Sequence, residues 1–281
     1  MSSRDAWKIE SRTDVGCLRT LNEDVVRTNP ELGLLLVVDG MGGHNAGDLA
    51  ARVAADALER SLKAAIGSVG ADGGAVTDAV RNAFLDADRH VRSAGEANRA
   101  HLQMGATAAC VVLRDNHAHL GHVGDTRIYR LRGGKLELLT RDHSAAQRIL
   151  ESGMVDEAGL SASRNRHLVT HALGADAADA IRVRRIEVEP GDLLLVCSDG
   201  LNDMVDGADI ELLLDTLKDD LALAADQLVM VARDCGGHDN ISVALVRIDA
   251  PFVGGQASGG AAAEGGRSFF GRLRKWFGGA G

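Results

Sequence analysis

Residues 106–139 read ATAACVVLRDNHAHLGHVGDTRIYRLRGGKLELL. Four runs rich in strand formers, Ala106–Leu113, His117–Val123, Arg127–Leu131 and Lys135–Leu139, are separated by short turns, and Arg132-Gly133-Gly134 joins the last two as a hairpin. A parallel connection needs a crossover of a dozen or more residues, so spacing this close demands antiparallel pairing. Upstream, Leu34-Leu35-Leu36-Val37-Val38 stops abruptly at Asp39-Gly40, as a buried strand does when it ends in a turn. Leu49, Val53, Ala57, Leu58, Leu62 and Ile66 then follow helical spacing, and Val76, Val80, Phe84, Ala87 and Val91 repeat it. Downstream, Ser144–Arg166 is polar and poorly periodic. Strands are expected at Ile181–Val188, Leu193–Ser198 and Ile241–Ile248, with a helical region from about Asp209 to Arg233. Hairpins and helices grouped in blocks predict an α+β layered fold rather than a doubly wound sheet.

The chain has 281 residues, 45% of them hydrophobic and 25% charged, enough to bury an ordinary core. Its 31 Lys and Arg against 40 Asp and Glu give a formal charge of −9, so nucleic acid is not an expected partner. The N-terminus lacks the apolar core of a secretory signal, and no apolar run approaches the roughly 20 residues of a spanning helix, which points to a cytoplasmic protein. Cys17, Cys110, Cys197 and Cys235 form no Cys-x-x-Cys pair and lie mostly among apolar residues, so they are expected as buried thiols filling the core.

The folded unit is expected over residues 7–250. A Gly/Ala/Ser-rich linker follows over 251–267, and a short tail over 268–281. In that tail Phe269, Phe270, Leu273, Trp276 and Phe277 fall on one helical face, with Arg272, Arg274 and Lys275 on the other. Such a cationic amphipathic segment suits docking on a partner or on its own domain, and, more weakly, contact with an anionic membrane.

The chemistry is written in acids at strand ends. Val38-Asp39-Gly40 and Ser198-Asp199-Gly200 each deliver a carboxylate beside a glycine, while Asp239, Glu23, Asp24 and Asp125 stand next to further strands. A single Asp-Gly is ordinarily a turn, but this recurrence is expensive unless the acids are paired or hold a cation. Carboxylates and backbone carbonyls without clustered His or Cys select Mg²⁺ or Mn²⁺ over Zn²⁺. Two such ions would activate a water and clamp a phosphoryl group.

Asp14-Val15-Gly16, Arg19, Asn22-Glu23-Asp24, Val38-Asp39-Gly40-Met41-Gly42-Gly43-His44, Met104-Gly105-Ala106-Thr107, Gly124-Asp125-Thr126-Arg127, Arg141-Asp142-His143-Ser144, Ser198-Asp199-Gly200-Leu201 and Gly237-His238-Asp239-Asn240-Ile241 occur in that order. Together they resemble the bacterial PP2C-like (PPM) metal-dependent serine/threonine protein phosphatases. The resemblance implies a four-layer α-β-β-α sandwich of two antiparallel sheets, with a binuclear Mn²⁺ or Mg²⁺ centre at one end. It implies that Asp39 bridges both ions, that Asp199 and Asp239 complete the first site, and that the Gly40 carbonyl serves the second. Glu23 and Asp24 would act mainly through metal-bound waters and orientation, with Asn240 behind them. Asp125 and Asp199 would hold a third, weaker ion, and Arg19 would bind phosphate.

The resemblance further implies hydrolysis of phosphoserine and phosphothreonine by a metal-bridging hydroxide, opposite a cognate Ser/Thr kinase, in a chain that works as a monomer. Met41 stands where eukaryotic relatives carry a histidine, so the proton for the leaving oxygen would come from His44 or from a metal-bound water. At His171 many bacterial relatives have arginine, and Ser144–Arg166 corresponds to the family's substrate-selecting flap, where Arg148, Arg164 and Arg166 would meet a phosphopeptide. The competing reading is a catalytically silent phosphatase-like module, against which the intact Asp39, Asp199 and Asp239 count. An aspartyl-phosphate enzyme would need Asp-x-Asp where this chain has Asp39-Gly40-Met41.

Overall fold

A computed structural model describes residues 6–43, 46–68, 73–151, 168–175 and 177–252. The four runs that open the sequence reading become β4 (Gly105–Arg114), β5 (His117–Val123), β6 (Arg127–Arg132) and β7 (Lys135–Leu138). Before them come β1 (Trp7–Asp14), β2 (Asp24–Asn29) and β3 (Leu34–Met41), then α1 (Ala46–Ser68) and α2 (Gly73–Glu96). After them come α3 (Ala145–Glu151), β8 (Arg182–Glu187), β9 (Leu193–Cys197), α4 (Asp199–Asn202), α5 (Gly207–Leu217), α6 (Leu221–Asp234) and β10 (Ile241–Ile248).

The strands form two five-stranded sheets ordered β1-β10-β9-β6-β7 and β2-β3-β4-β5-β8, with antiparallel neighbours throughout. Alternation along each central strand sends one set of side chains between the sheets and the other toward helices. Leu35, Val37, Val111, Ile128, Val196 and Val246 fill the space between sheets. Leu34, Leu36 and Val38 face the other way, onto Leu58, Leu62 and Phe84 of α1 and α2. On the far side Leu193, Leu195 and Leu245 pack with Ile210, Leu214 and Leu228 of α5 and α6. Four layers result, helices outside and sheets inside.

Three details depart from the sequence reading. The single helical region over Asp209–Arg233 is two helices, because Asp220 starts a new one by accepting the Leu223 N–H with its side chain. Cys110 and Cys197 are buried as expected, but Cys17 and Cys235 are exposed, since Cys17 lies in a surface loop beside the exposed Leu18 and Cys235 caps α6 between Asp234 and Gly236. Part of the polar stretch after Ser144 is helical, as α3; residues 152–167, with Arg164 and Arg166, lie outside the described residues, as do His44, the tail and the linker beyond Phe252, while Phe252 itself is buried edge-on against the Trp7 ring. Among the described residues no helix is long and apolar enough to cross a membrane.

Candidate metal centre

One end of the sandwich gathers the acids because the strands that carry them finish there together. Asp39 pairs with Asp24 across β2 and β3 and with Thr107 across β3 and β4. Asp125 follows the end of β5, Asp199 the end of β9, and Asp239 precedes β10. A cavity of about 380 Å³ opens here, lined by Arg19, Glu23, Asp39, Gly40, Met41, Thr107, Asp125, Leu168, Val169, Asp199, Asp239 and Asn240. The structure thus brings the nominated residues Arg19, Glu23, Asp39, Gly40, Asp125, Asp199, Asp239 and Asn240 to this cavity; Asp24 stands behind it, and Arg148 and His171 are not among its lining residues.

Asp24 is buried and accepts a hydrogen bond from the Ser198 hydroxyl at 2.8 Å, tying the β2 end to the β9 end. Asn240 is the pin of the neighbouring loops. Its side-chain N–H groups donate to the carbonyls of Val15 (2.9 Å) and Leu21 (3.0 Å), while its Oδ1 accepts the Glu23 N–H at 2.8 Å. Gly16, at φ +79°, completes this packing, because a Cβ there would overlap the Asp239 carbonyl. Gly40 and Gly47 meet in a second close approach, in which a Cβ on Gly47 would stand 2.7 Å from the Gly40 carbonyl and 2.5 Å from Glu23 Oε1.

The electrostatics are those of a site awaiting positive charge. Burial pushes the Asp24 carboxyl up to about 7. Burial also drives Asp39 well above the usual carboxylate range, reinforced by Asp24, Asp199, Asp125 and Asp239. Asp199 is raised likewise by burial and then by Asp125 and Asp203, and Asp125 reaches about 7 through burial and Asp142. Asp199 Oδ1 is buried with no hydrogen-bond partner. An all-oxygen donor set with one orphaned carboxylate oxygen fits a hard divalent cation, and Asp39, Asp199, Asp239, Glu23 and the Gly40 carbonyl are the groups available to hold it. Among the described residues no group of three or more His, Cys, Asp or Glu side chains already has the geometry of a ligand set. Arg19 Nη2 lies 2.6 Å from Asp239 Oδ2 and ties that carboxylate down.

Supports that the sequence reading assigned no role emerge as well. Arg127 clasps Asp142 through Nε (3.0 Å) and Nη2 (2.6 Å), and His143 Nδ1 accepts the Gly124 N–H at 3.1 Å. These contacts fix the turn that presents Asp125. The motif Arg141-Asp142-His143-Ser144 was visible in the sequence, but only pairing in space reveals what it holds. His171 hydrogen-bonds Thr170 through Nδ1 at 3.0 Å and packs edge-on against the His143 ring.

A family model described as protein phosphatase 2C matches residues 20–228. The serine/threonine phosphatase stp of Listeria monocytogenes is 30% identical over 252 residues, covering 89% of this chain and 99% of that protein. The solved serine/threonine phosphatase PstP/Ppp of Mycobacterium tuberculosis has a TM-score of 0.78 at 28% identity, over 86% of this chain and 99% of its own. A solved catalytic domain of the phosphatase PstP, in complex with two manganese ions, has a TM-score of 0.74 at 29% identity, covering 86% and 98%. Matched by the family model and by relatives along nearly their whole length, the chain belongs to the protein phosphatase 2C family as a serine/threonine protein phosphatase.

Proposed function

We propose that the acid-lined cavity is the reaction centre, and that it hydrolyses phosphoserine and phosphothreonine in proteins with two Mn²⁺ or Mg²⁺ ions. The observation that carries this reading is the convergence of Asp39, Asp125, Asp199, Asp239 and Glu23 on one cavity that also holds Arg19. Asp39 would touch both ions, Asp199 and Asp239 would complete the first site, and the Gly40 carbonyl would serve the second. Asp125 with Asp199 would offer a third, weaker site. When bound, the ion pair supplies an acidified water and offsets charge developing on the phosphoryl oxygens. Arg19 would grip the phosphoryl group with its planar fork once it lets go of Asp239. Asp24 and Asn240 hold these groups in position, and His44 is the proposed proton donor to the leaving oxygen.

In the cell we place the enzyme in the cytoplasm, as a monomer opposing a Ser/Thr kinase. Residues 7–250 would act as the catalytic domain, 251–267 as a linker and 268–281 as a docking tail. Phosphate release from a phosphothreonine peptide in EDTA, Mg²⁺ or Mn²⁺ tests the reading. Release that requires added metal is expected; equal release in EDTA, or none with any metal by folded protein, would reject it and, in the second case, favour a silent binding module.

A further inference from the structure

Among the described residues eight large apolar side chains are exposed, three of them on segments that contribute to the acid cavity. Leu18 is 68% exposed and Leu21 39%, on either side of Arg19, and Leu168 is 60% exposed where it lines the acid cavity beside Val169. Scattered exposed leucines need no explanation, but Leu168 lines the cavity itself and Leu18 and Leu21 flank Arg19, which lines it too.

The backbone around them is also held by hydrogen bonds. The Cys17 N–H donates to the Gly237 carbonyl at 2.7 Å, and Asn240 holds the carbonyls of Val15 and Leu21. Across the cavity the Leu168 carbonyl accepts the Ala145 N–H at 2.8 Å, and Val169 bridges to Ser144. Apolar surface presented on fixed backbone is what a binding site uses to avoid paying ordering entropy on association. Polar or charged flanking side chains would gain little from it and would give up hydration on docking against leucine.

We propose that Leu18, Leu21 and Leu168 form an apolar rim that selects phosphorylated serine or threonine residues flanked by large apolar side chains. The proposal rests on the cavity being the phosphatase site and names the class of substrate it takes. The flanking side chains lie across Leu18 and Leu168 while the phosphoryl group reaches Arg19.

Three phosphothreonine peptides identical except for Leu, Ser or Asp on both sides of the phosphoresidue test this with the full chain in Mn²⁺, beside a small aryl phosphate. The Leu-flanked peptide is expected to show a KM about fivefold to tenfold below the Ser-flanked one, the scale of partly burying two leucines, with the Asp-flanked peptide the weakest. In Leu18→Ser and Leu168→Ser the Leu-to-Ser ratio of kcat/KM should fall toward one; both positions are exposed, so the fold tolerates the change. Equal KM for Leu and Ser peptides in the wild type, or a ratio untouched by both substitutions, would overturn the rim while turnover of the aryl phosphate kept the phosphatase reading intact. Failure on the aryl phosphate and all peptides would overturn that reading and the rim with it.

Discussion

Arg19 Nη2 and Asp239 Oδ2 stand 2.6 Å apart, although 220 positions separate them in the chain. The guanidinium therefore partly neutralises a carboxylate proposed as a metal ligand, and competes with an ion for it. Arg19→Ala should tighten Mn²⁺ binding severalfold by calorimetry. Its effect should vanish in an Asp239→Asn background, because the competition passes through that one carboxylate. An equal gain in both backgrounds would mean that only long-range charge is at work.

The crowding of acids has a pH signature. Asp24 and Asp125 rise to about 7, and Asp39 and Asp199 are also raised, against an unfolded value near 3.8. Between about pH 4 and pH 7 the folded state therefore binds more protons than the unfolded one, and metal-free stability falls as pH rises through that window. Asp39→Asn removes one of the crowded charges. Without metal it should be more stable than wild type at pH 7.5, by on the order of 1–3 kcal/mol, with the difference closing toward pH 4. Thermal unfolding of the two proteins across this range measures it, and a difference independent of pH would contradict the account.

Gly47 leaves room for the Gly40 carbonyl and the Glu23 carboxylate. Gly47→Ala would place a methyl group 2.5 Å from Glu23 Oε1 and 2.7 Å from the Gly40 oxygen. The expected result is Mn²⁺ affinity lowered about tenfold or more with circular dichroism little changed. Unaltered affinity would remove Gly40 and Glu23 from the metal environment.

Asp88 ties the outer helices to the segment beside the cavity. It is buried, accepts the Gly174 N–H at 2.8 Å and the Ala177 N–H at 3.2 Å through Oδ1, and meets Arg92 at 2.8 Å through Oδ2. Asp88→Ala should cost about 2–4 kcal/mol in urea unfolding, because it orphans two backbone donors, partly buried at Gly174 and buried at Ala177. A loss below about 0.5 kcal/mol would show that solvent satisfies them instead.

Much of this molecule is legible along the chain. The closely spaced runs from Ala106 to Leu139 dictate antiparallel pairing of β4 with β5 and of β6 with β7, though β5 and β6, equally close in the chain, part into different sheets, and the apolar spacing from Leu49 to Val91 dictates two helices on one face. The strand β1 was not anticipated, since Lys8, Glu10 and Arg12 alternate with modest apolar partners and its pairing with β10 is more than 200 residues distant. Acids at strand ends announced the site. What holds them did not show, because Arg127 with Asp142, Ser198 with Asp24 and Asn240 with Leu21 are contacts between segments that only folding juxtaposes. The exposed thiols of Cys17 and Cys235 teach the same point in reverse: local apolar composition does not decide burial in a loop.

The central claim is that Asp39 organises the metals of a phosphatase site, and the rate of phosphate release from a phosphothreonine peptide by Asp39→Asn at saturating Mn²⁺ tests it most directly. The account predicts a rate at least about a thousandfold below wild type in a protein that remains folded. Turnover at the wild-type rate would contradict it.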